Sequence, residues 1–466
     1  MLEIVVKDGR LVDETGVKNA DLGISDGRIV EVGEGLDGAE TVVDASGKWV
    51  LPGGLDSHVH LDQLSSKGDM TADDFASGSR SAIHGGTTTV VPFAAQHRGM
   101  SISRVLGDAF KRAETQMVTD YGMHLIVTEF NDESVAGLER AAEAGISAVK
   151  IYLTYDRLKM VGHGALDVMK VAERLGLPVM VHAESDAIVG WSRNQLVAAG
   201  QVQASSHATS HSCAAEWAGV AEALALAETS GATLYLAHLS TPEALDLVQT
   251  ARGRGTTVVA ETCPHYLLLD ESALEAPIAD AAPFMCSPPL RGKRERNGLI
   301  EHLAAGNIDI VASDHSPYTM KQKLPQGSNT PFSEVANGLP GIELRIALLW
   351  TLVATGRLTH SQLVAVTSTN PARVCGMFPK KGSLEVGADG DVVVWGETDH
   401  VASWEKLHDQ VGYTPYEGMT LAAWPEVVIS RGEMLVEGSS DHTAEGRGRF
   451  VGVSRSVEPA GGRLIV

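Results

Sequence analysis

The chain is short of aromatic residues, cysteine and positive charge, and it has no long apolar run. Nothing approaches the roughly 18 uninterrupted apolar residues that a membrane-spanning helix needs, so no span is expected. The first residues, Met1-Leu2-Glu3-Ile4-Val5-Val6-Lys7-Asp8-Gly9, carry acid early and lack a basic region leading into an apolar stretch, which argues against a signal peptide. The four cysteines, Cys213, Cys263, Cys286 and Cys375, are scattered, with no C-x-x-C pair. They are expected to be reduced, buried thiols rather than a disulfide frame or a zinc knuckle, and they point to the cytoplasm. Lysine and arginine number 37 against 59 acidic residues, a net charge of −22. Nucleic acid and anionic membranes need a positive face, so neither is an expected partner.

What is present suits a large soluble enzyme. The 466 residues are 44% hydrophobic and 21% charged, enough for a substantial core. Residues 1–50 alternate short apolar runs with turn signals. Leu2–Val6, Ala20–Ile24 and Arg28–Val32 read as strands, and Lys7-Asp8-Gly9 and Ser25-Asp26-Gly27 as hairpin turns. From about residue 51 apolar runs alternate with alanine-rich helical stretches. The strand candidates are Thr88–Phe93, Gly122–Thr128, Ala148–Leu153, Pro178–His182, Thr233–His238, Thr256–Glu261, Phe284–Ser287 and Ile308–Ser313. Alternating strands and helices imply a parallel sheet, and about eight units imply a (β/α)8 TIM barrel over 51–375. A doubly wound sheet is disfavoured, because no G-x-G-x-x-G follows an early strand. Short strands return after about 375, so residues 1–50 and 376–440 are expected to pair into a small β-sandwich domain. Residues 441–466 read as a C-terminal tail that is ordered only if it packs on a neighbour.

The chemistry sits at strand ends. His58-Val59-His60 closes a strand-like run, and residues i and i+2 of a strand point the same way. Both imidazoles are therefore able to meet one metal ion, although an isolated H-x-H is also common on ordinary surfaces. Lys150 lies inside the apolar run Ser147–Tyr152, where a lysine is costly unless paired or modified. His182 ends Val179–His182, His238 ends Leu234–His238, and Asp314 follows Ile308–Ser313. Strand C-termini face the catalytic mouth of a parallel barrel. Any one of these residues suits a hydrogen-bonded core position; six at equivalent ends are hard to explain that way.

These segments resemble the amidohydrolase superfamily, in particular its hydantoinase and dihydropyrimidinase branch. The similarity runs from Pro52-Gly53-Gly54-Leu55-Asp56-Ser57-His58-Val59-His60 to Gly382-Ser383-Leu384-Glu385-Val386-Gly387-Ala388-Asp389. It includes Glu261-Thr262-Cys263-Pro264-His265-Tyr266-Leu267, Ser287-Pro288-Pro289-Leu290-Arg291 and Ser313-Asp314-His315-Ser316-Pro317. The resemblance implies ring opening of hydantoins or dihydropyrimidines to N-carbamoyl amino acids. It implies two divalent metal ions, zinc by default, with manganese or cobalt able to replace it. His58, His60 and Asp314 would hold one ion, and His182 and His238 the other. N6-carboxylated Lys150 and a nucleophilic hydroxide would bridge the two. Asp314 would carry the proton to the leaving nitrogen, and Tyr155 would donate to the developing oxyanion. Ser287 and Asn337 match positions whose main chain holds the imide edge of the ring. His315 takes a supporting place beside Asp314. The branch further implies a homotetramer.

Loops 62–72, 93–100 and 153–162 are placed to cover the ring substituent. Their Leu64, Met70, Phe93, Leu153, Leu158 and Met160 suit either an apolar pocket or ordinary loop packing. The remaining histidines, including His124 and His265, fall off the ligand pattern. One departure stands out. Many relatives carry an Arg-Pro pair after the fourth barrel strand, but here the chain reads Ser206-His207-Ala208-Thr209-Ser210-His211-Ser212. His211 stands in for the arginine, at a place expected to lie away from the metal ligands. Three other readings compete. An allantoinase or dihydroorotase would perform the same chemistry on another ring. The latter needs cations for its substrate carboxylate, and in these loops Arg98, Arg157 and Lys159 are the candidates. A non-catalytic structural relative would lack ligands, and none of the six is missing. A mononuclear deaminase would lack Lys150.

Overall fold

The structure, a computed structural model, describes residues 1–65 and 68–453. Its centre is a parallel sheet of eight strands. They are Gly54–Val59 (β1), Thr87–Ala95 (β2), His124–Ile126 (β3), Ala148–Tyr152 (β4), Val179–His182 (β5), Leu234–Leu236 (β6), Val258–Thr262 (β7) and Ile310–Val311 (β8). Helices follow most of them, including Phe75–His84 after β1, Gly164–Arg174 after β4 and Pro242–Gly253 after β6. Both faces of this sheet are buried, as βαβ connections require. Val149, Ile151, Val179, Val181, Leu234 and Leu236 pack outward against the helices. Ile126, Met180, Tyr235, Val259 and Ile310 fill the interior.

Closure joins β8 to β1. Val59 bridges His315 in parallel, and the His60 amide donates to the His315 carbonyl at 2.8 Å. Below this, the Ser313 amide donates to Asp56 Oδ1 at 3.1 Å. The fully buried Arg345 places its Nε 3.4 Å from Asp56 Oδ2, and it donates to the Val311 carbonyl and the Thr87 hydroxyl, each at 3.1 Å. One guanidinium thus ties β8, β1 and β2 together.

Eight strands form the barrel, but not quite the eight expected. Phe284–Ser287 contains the end of a 3-10 turn followed by irregular chain, not a strand. The strand-like run that ends at His58 supplies the first barrel strand, but it is split at Gly53. Trp49–Pro52 joins the flanking sheet, while Gly54–Val59 enters the barrel. A side chain at Gly53 would put Cβ 2.1 Å from Thr88 Oγ1, so only glycine lets the chain pass there.

The chain ends share a nine-stranded mixed sheet in which Val392–Glu397 pairs antiparallel with Trp49–Pro52. Asp26-Gly27 makes the expected hairpin between Gly16–Ser25 and Arg28–Gly33. Asp8-Gly9 does not: Ile4–Asp13 is one continuous strand with a bulge there. Its positive φ at Asp8 serves that bulge rather than a reversal. Residues 446–453 run along the barrel's own underside, where Val451 and Gly448 donate to the carbonyls of Tyr121 and Met117. The rest of the tail, 454–466, lies outside the described residues.

Barrel and flanking sheet meet at Lys381. Its buried ammonium lies 2.5 Å from Asp120, 2.9 Å from Asp389 and 2.8 Å from Asp391. Burial opposes the charge, but the three carboxylates outweigh it and raise the lysine pKa. Removing the cation leaves Asp389 and Asp391 buried without their ammonium partner, with Arg431 on Asp120 as the remaining counter-charge, which is costlier than losing an exposed pair. Lys381→Met is expected to cost about 3–5 kcal/mol of stability, read as a lower denaturant midpoint; an unchanged midpoint would show that the cluster is not a structural tie.

Candidate active site

Strand register places the candidate ligands in two layers. Lys150 is level with Ile126, Met180, Tyr235 and Val259 in the barrel interior. Tyr152 and His182 form a pair one layer higher. His58 is the penultimate residue of β1, His182 ends β5, and His60, His238 and Asp314 follow their strands closely. All six therefore reach the C-terminal mouth. His238 and Asp314 take positive φ, 41° and 46°, as does Tyr155 at 76°. Such conformations are unfavourable for residues other than glycine and persist where the surrounding structure imposes them.

Two half-sites result. Asp314 Oδ1 lies 3.2 Å from both His58 Nε2 and His60 Nε2, and these three ligand atoms all fall within 4.8 Å of one another. His182 Nδ1 faces His238 Nε2 at 3.0 Å. Lys150 lies between them, with Nζ 3.4 Å from His58 Nε2. The other ring nitrogens are mostly committed elsewhere. His58 Nδ1 meets Glu261 at 2.7 Å, His60 Nδ1 meets Gln63 at 2.8 Å, and His182 Nε2 meets Glu184 at 2.8 Å. Glu261 also accepts from the His238 amide at 3.0 Å and from the Tyr235 hydroxyl. These contacts select the nitrogen that faces inward.

Burial sets the charge states. It lowers the pKa of His60 and His182 despite their carboxylate partners. His238 falls well below its ordinary value, through burial and then the neighbouring His182 and Lys150. Neutral imidazoles suit metal binding, which requires the unprotonated ring. Burial would raise the Asp314 carboxyl, but the surrounding histidines outweigh it and hold it well below the usual range. Glu184 behaves likewise between His211 and His182. Lys150 is brought down to about 8, chiefly by burial. Three neutral imidazoles, an ionised carboxylate and an amine that readily loses its proton fit a binuclear metal site well.

A cavity of about 310 Å³ opens above the ligands, and Tyr155, Ser287 and Asn337 line it. The Tyr155 phenol shares a side-chain hydrogen bond with Ser287, and burial followed by the Glu184 charge pushes its pKa well up, so it stays a donor. Asn337 Oδ1 is buried with no hydrogen-bond partner.

In the substituent loops the packing reading holds for most of the apolar residues. Of the six apolar residues singled out there, Leu158 alone lines the cavity. Phe93 packs under the rings of His58 and His60, Leu153 and Met160 pack on the core, and Leu64 and Met70 bridge each other. The wall mixes polar and apolar groups, with Gln63, Arg157, His207 and His211 beside Leu158, Val189, Phe332 and Val335. Burial drops the His207 pKa to about 3, leaving that ring neutral. His211 is not remote from the ligands: its Nδ1 lies 2.8 Å from Glu184, the carboxylate that holds His182.

Sequence reasoning missed Glu184, Glu261, Tyr235 and Gln63. Two of them were within reach of the same rules. Glu261 is the next-to-last residue of β7, and Glu184 stands two places after His182, the same i, i+2 relation that linked His58 to His60.

The sequence and backbone place this molecule in a known group. Residues 49–435 match the Amidohydrolase family, and the chain belongs to it. Within that family, the relatives it matches along almost its whole length include hydantoinases. It is 35% identical to the D-hydantoinase of Ralstonia pickettii, covering 100% of this chain and 98% of the relative. It is 36% identical to the D-hydantoinase of Geobacillus stearothermophilus, covering 96% of each. Its backbone superposes on a D-hydantoinase structure with a TM-score of 0.93 at 36% identity, covering 97% and 98% of the two chains. A dihydropyrimidinase from Brevibacillus agri gives the same score at 33% identity, covering 97% and 99%.

Glu261 holds His58 and the His238 backbone at once. Glu261→Gln is expected to weaken metal retention about 10–100-fold, measured as metal per chain after dialysis against a chelator; full retention would show that Glu261 does not support the ligands.

Proposed function

We propose that the chain opens a cyclic amide ring, a hydantoin or dihydropyrimidine, to an N-carbamoyl amino acid, using two divalent metal ions, zinc by default. The observation that carries this reading is the convergence of His58, His60, Asp314, Lys150, His182 and His238 at one barrel mouth. His58, His60 and Asp314 would hold one ion and His182 and His238 the other, with carboxylated Lys150 between them. When bound, such ions bring the pKa of water toward about 7 and polarise an amide carbonyl.

The chain's own groups supply the rest. At neutral pH Asp314 is an ionised acceptor, placed to take a proton from attacking water and pass it to the departing ring nitrogen. The Tyr155 phenol, protonated and facing the cavity, donates to the oxygen that gains charge. Ser287 and Asn337 border the place of the imide edge. Neutral Lys150 would form an N–C bond to CO2 through Nζ as one C=O π pair moves onto oxygen, and release one proton to solvent, so that a neutral amine becomes a carbamate anion among imidazoles. Its pKa of about 8 supports this, because only the unprotonated amine reacts.

The cavity wall supports ring substituents able to form hydrogen bonds, which keeps an allantoinase reading in view. Cys263, Cys286 and Cys375 are buried, consistent with reduced thiols in a cytoplasmic protein. No helix among the described residues is long and apolar enough to cross a membrane. A homotetramer is our reading of the assembly, and sedimentation at micromolar concentration measures it.

Metal content, together with hydrolysis of dihydrouracil, 5-substituted hydantoins and allantoin, tests the function. About two ions per chain with ring opening of the first two classes is expected. Activity on allantoin alone would move the assignment, and neither metal nor activity after zinc and bicarbonate would refute it. Tyr155→Phe is expected to lower kcat by about 100–1,000-fold with little change in KM. In metal-free protein at fixed dissolved CO2, the initial rate of Lys150 carboxylation, read as growth of a carbon-13 carbamate signal, is expected to rise with pH and level off above about 8. The sign follows from the amine, which is protonated and inert below that value; a pH-independent initial rate would contradict the assignment.

A further inference from the structure

We infer that His211 is a positioning residue that, through Glu184, secures the second ion at His182 and His238; this rests on the metal-dependent reading above. The argument begins with Glu184. Its carboxylate is fully buried, and each oxygen is taken by an imidazole: His182 Nε2 at 2.8 Å on Oε2, and His211 Nδ1 at 2.8 Å on Oε1. The chain of contacts continues from His182 Nδ1 to His238 Nε2 at 3.0 Å. Four side chains from three parts of the barrel thus form one line ending in the second half-site.

The two half-sites differ in how they are held. His58 and His60 share the Asp314 carboxylate directly and are braced by Glu261 and Gln63. The second has two imidazoles. His238 Nδ1 is buried with no hydrogen-bond partner, so the direction of its partner His182 depends on Glu184. A carboxylate free to rotate would also be able to turn an oxygen toward the ions. With both oxygens engaged, Glu184 holds the His182 ring so that Nδ1, and not Nε2, faces the site. His211 is itself fixed, since Arg291 donates to its carbonyl at 2.6 Å and the His207 ring packs 4.6 Å away. An arginine at this position would likewise donate to a carboxylate.

Two variants separate the donor from the bulk of the ring. His211→Leu fills the space without a donor, while the amide nitrogen of His211→Asn takes the place of Nδ1. Each protein is equilibrated in buffers of graded free zinc, and bound zinc per chain is measured, with activity followed in parallel. The expected result is a first ion held as in the unaltered protein in both variants. The second ion should bind about 10–100-fold more weakly in His211→Leu and near normally in His211→Asn. His211→Arg should also restore it. The inference is overturned if His211→Leu takes up both ions with unaltered affinity, if both ions weaken equally, or if His211→Asn loses as much as His211→Leu. Failure of the functional reading looks different: the unaltered protein itself would bind no ions and open no ring.

Discussion

Everything at the barrel mouth depends on one buried charge pair beneath it. Asp56 and Arg345 are fully enclosed, and between them they reach β1, β2 and β8. A barrel closes only where its first and last strands meet, and here those strands carry His58, His60 and Asp314. The tie that closes the fold therefore also sets the distance between the first three candidate ligands. Two charges out of water are costly, and Arg345 is correspondingly brought below its ordinary pKa by burial. The arrangement persists because main-chain and hydroxyl partners meet most of the remaining polar groups.

A second constraint acts one layer higher. Six electron-rich or basic side chains crowd into a dry volume where none is able to take up its usual hydration. His60, His182 and His238 respond by staying neutral, Asp314 by staying ionised, and Lys150 by holding its proton loosely. Glu261 and Glu184 extend the pattern outward. Each is a buried carboxylate that turns an imidazole so that one chosen nitrogen faces the centre. The site is thus organised by electrostatics before any substrate enters, which lowers the cost of reorganisation during reaction.

Much of the fold was legible because its signals are local. Continuous apolar runs alternating with alanine-rich helices mark the barrel, and Asp26-Gly27 marks a true hairpin. The misreadings also had physical causes. Asp8-Gly9 has the composition of a turn, but its neighbours Ile4–Val6 and Leu11–Val12 pair on as one strand, so the same positive φ becomes a bulge. The apolar look of Phe284–Ser287 reflects burial rather than strand pairing. Leu153, Met160 and Phe93 were equally suited to a pocket or to packing, and only the paths of their loops decide between the two.

The sequence by itself determined the family, the barrel and the identity of the six candidate ligands, because strand-end position is encoded by short patterns such as Val179–His182 and Leu234–His238. Tertiary structure alone decided which nitrogen each histidine turns inward, that the cavity wall mixes polar and apolar groups, and that His211 reaches the ligands. Glu184 and His211 stand 27 residues apart, and Glu261 is 203 residues from His58. Contacts over such separations arise when helices and strands pack, and no local pattern along the chain records them.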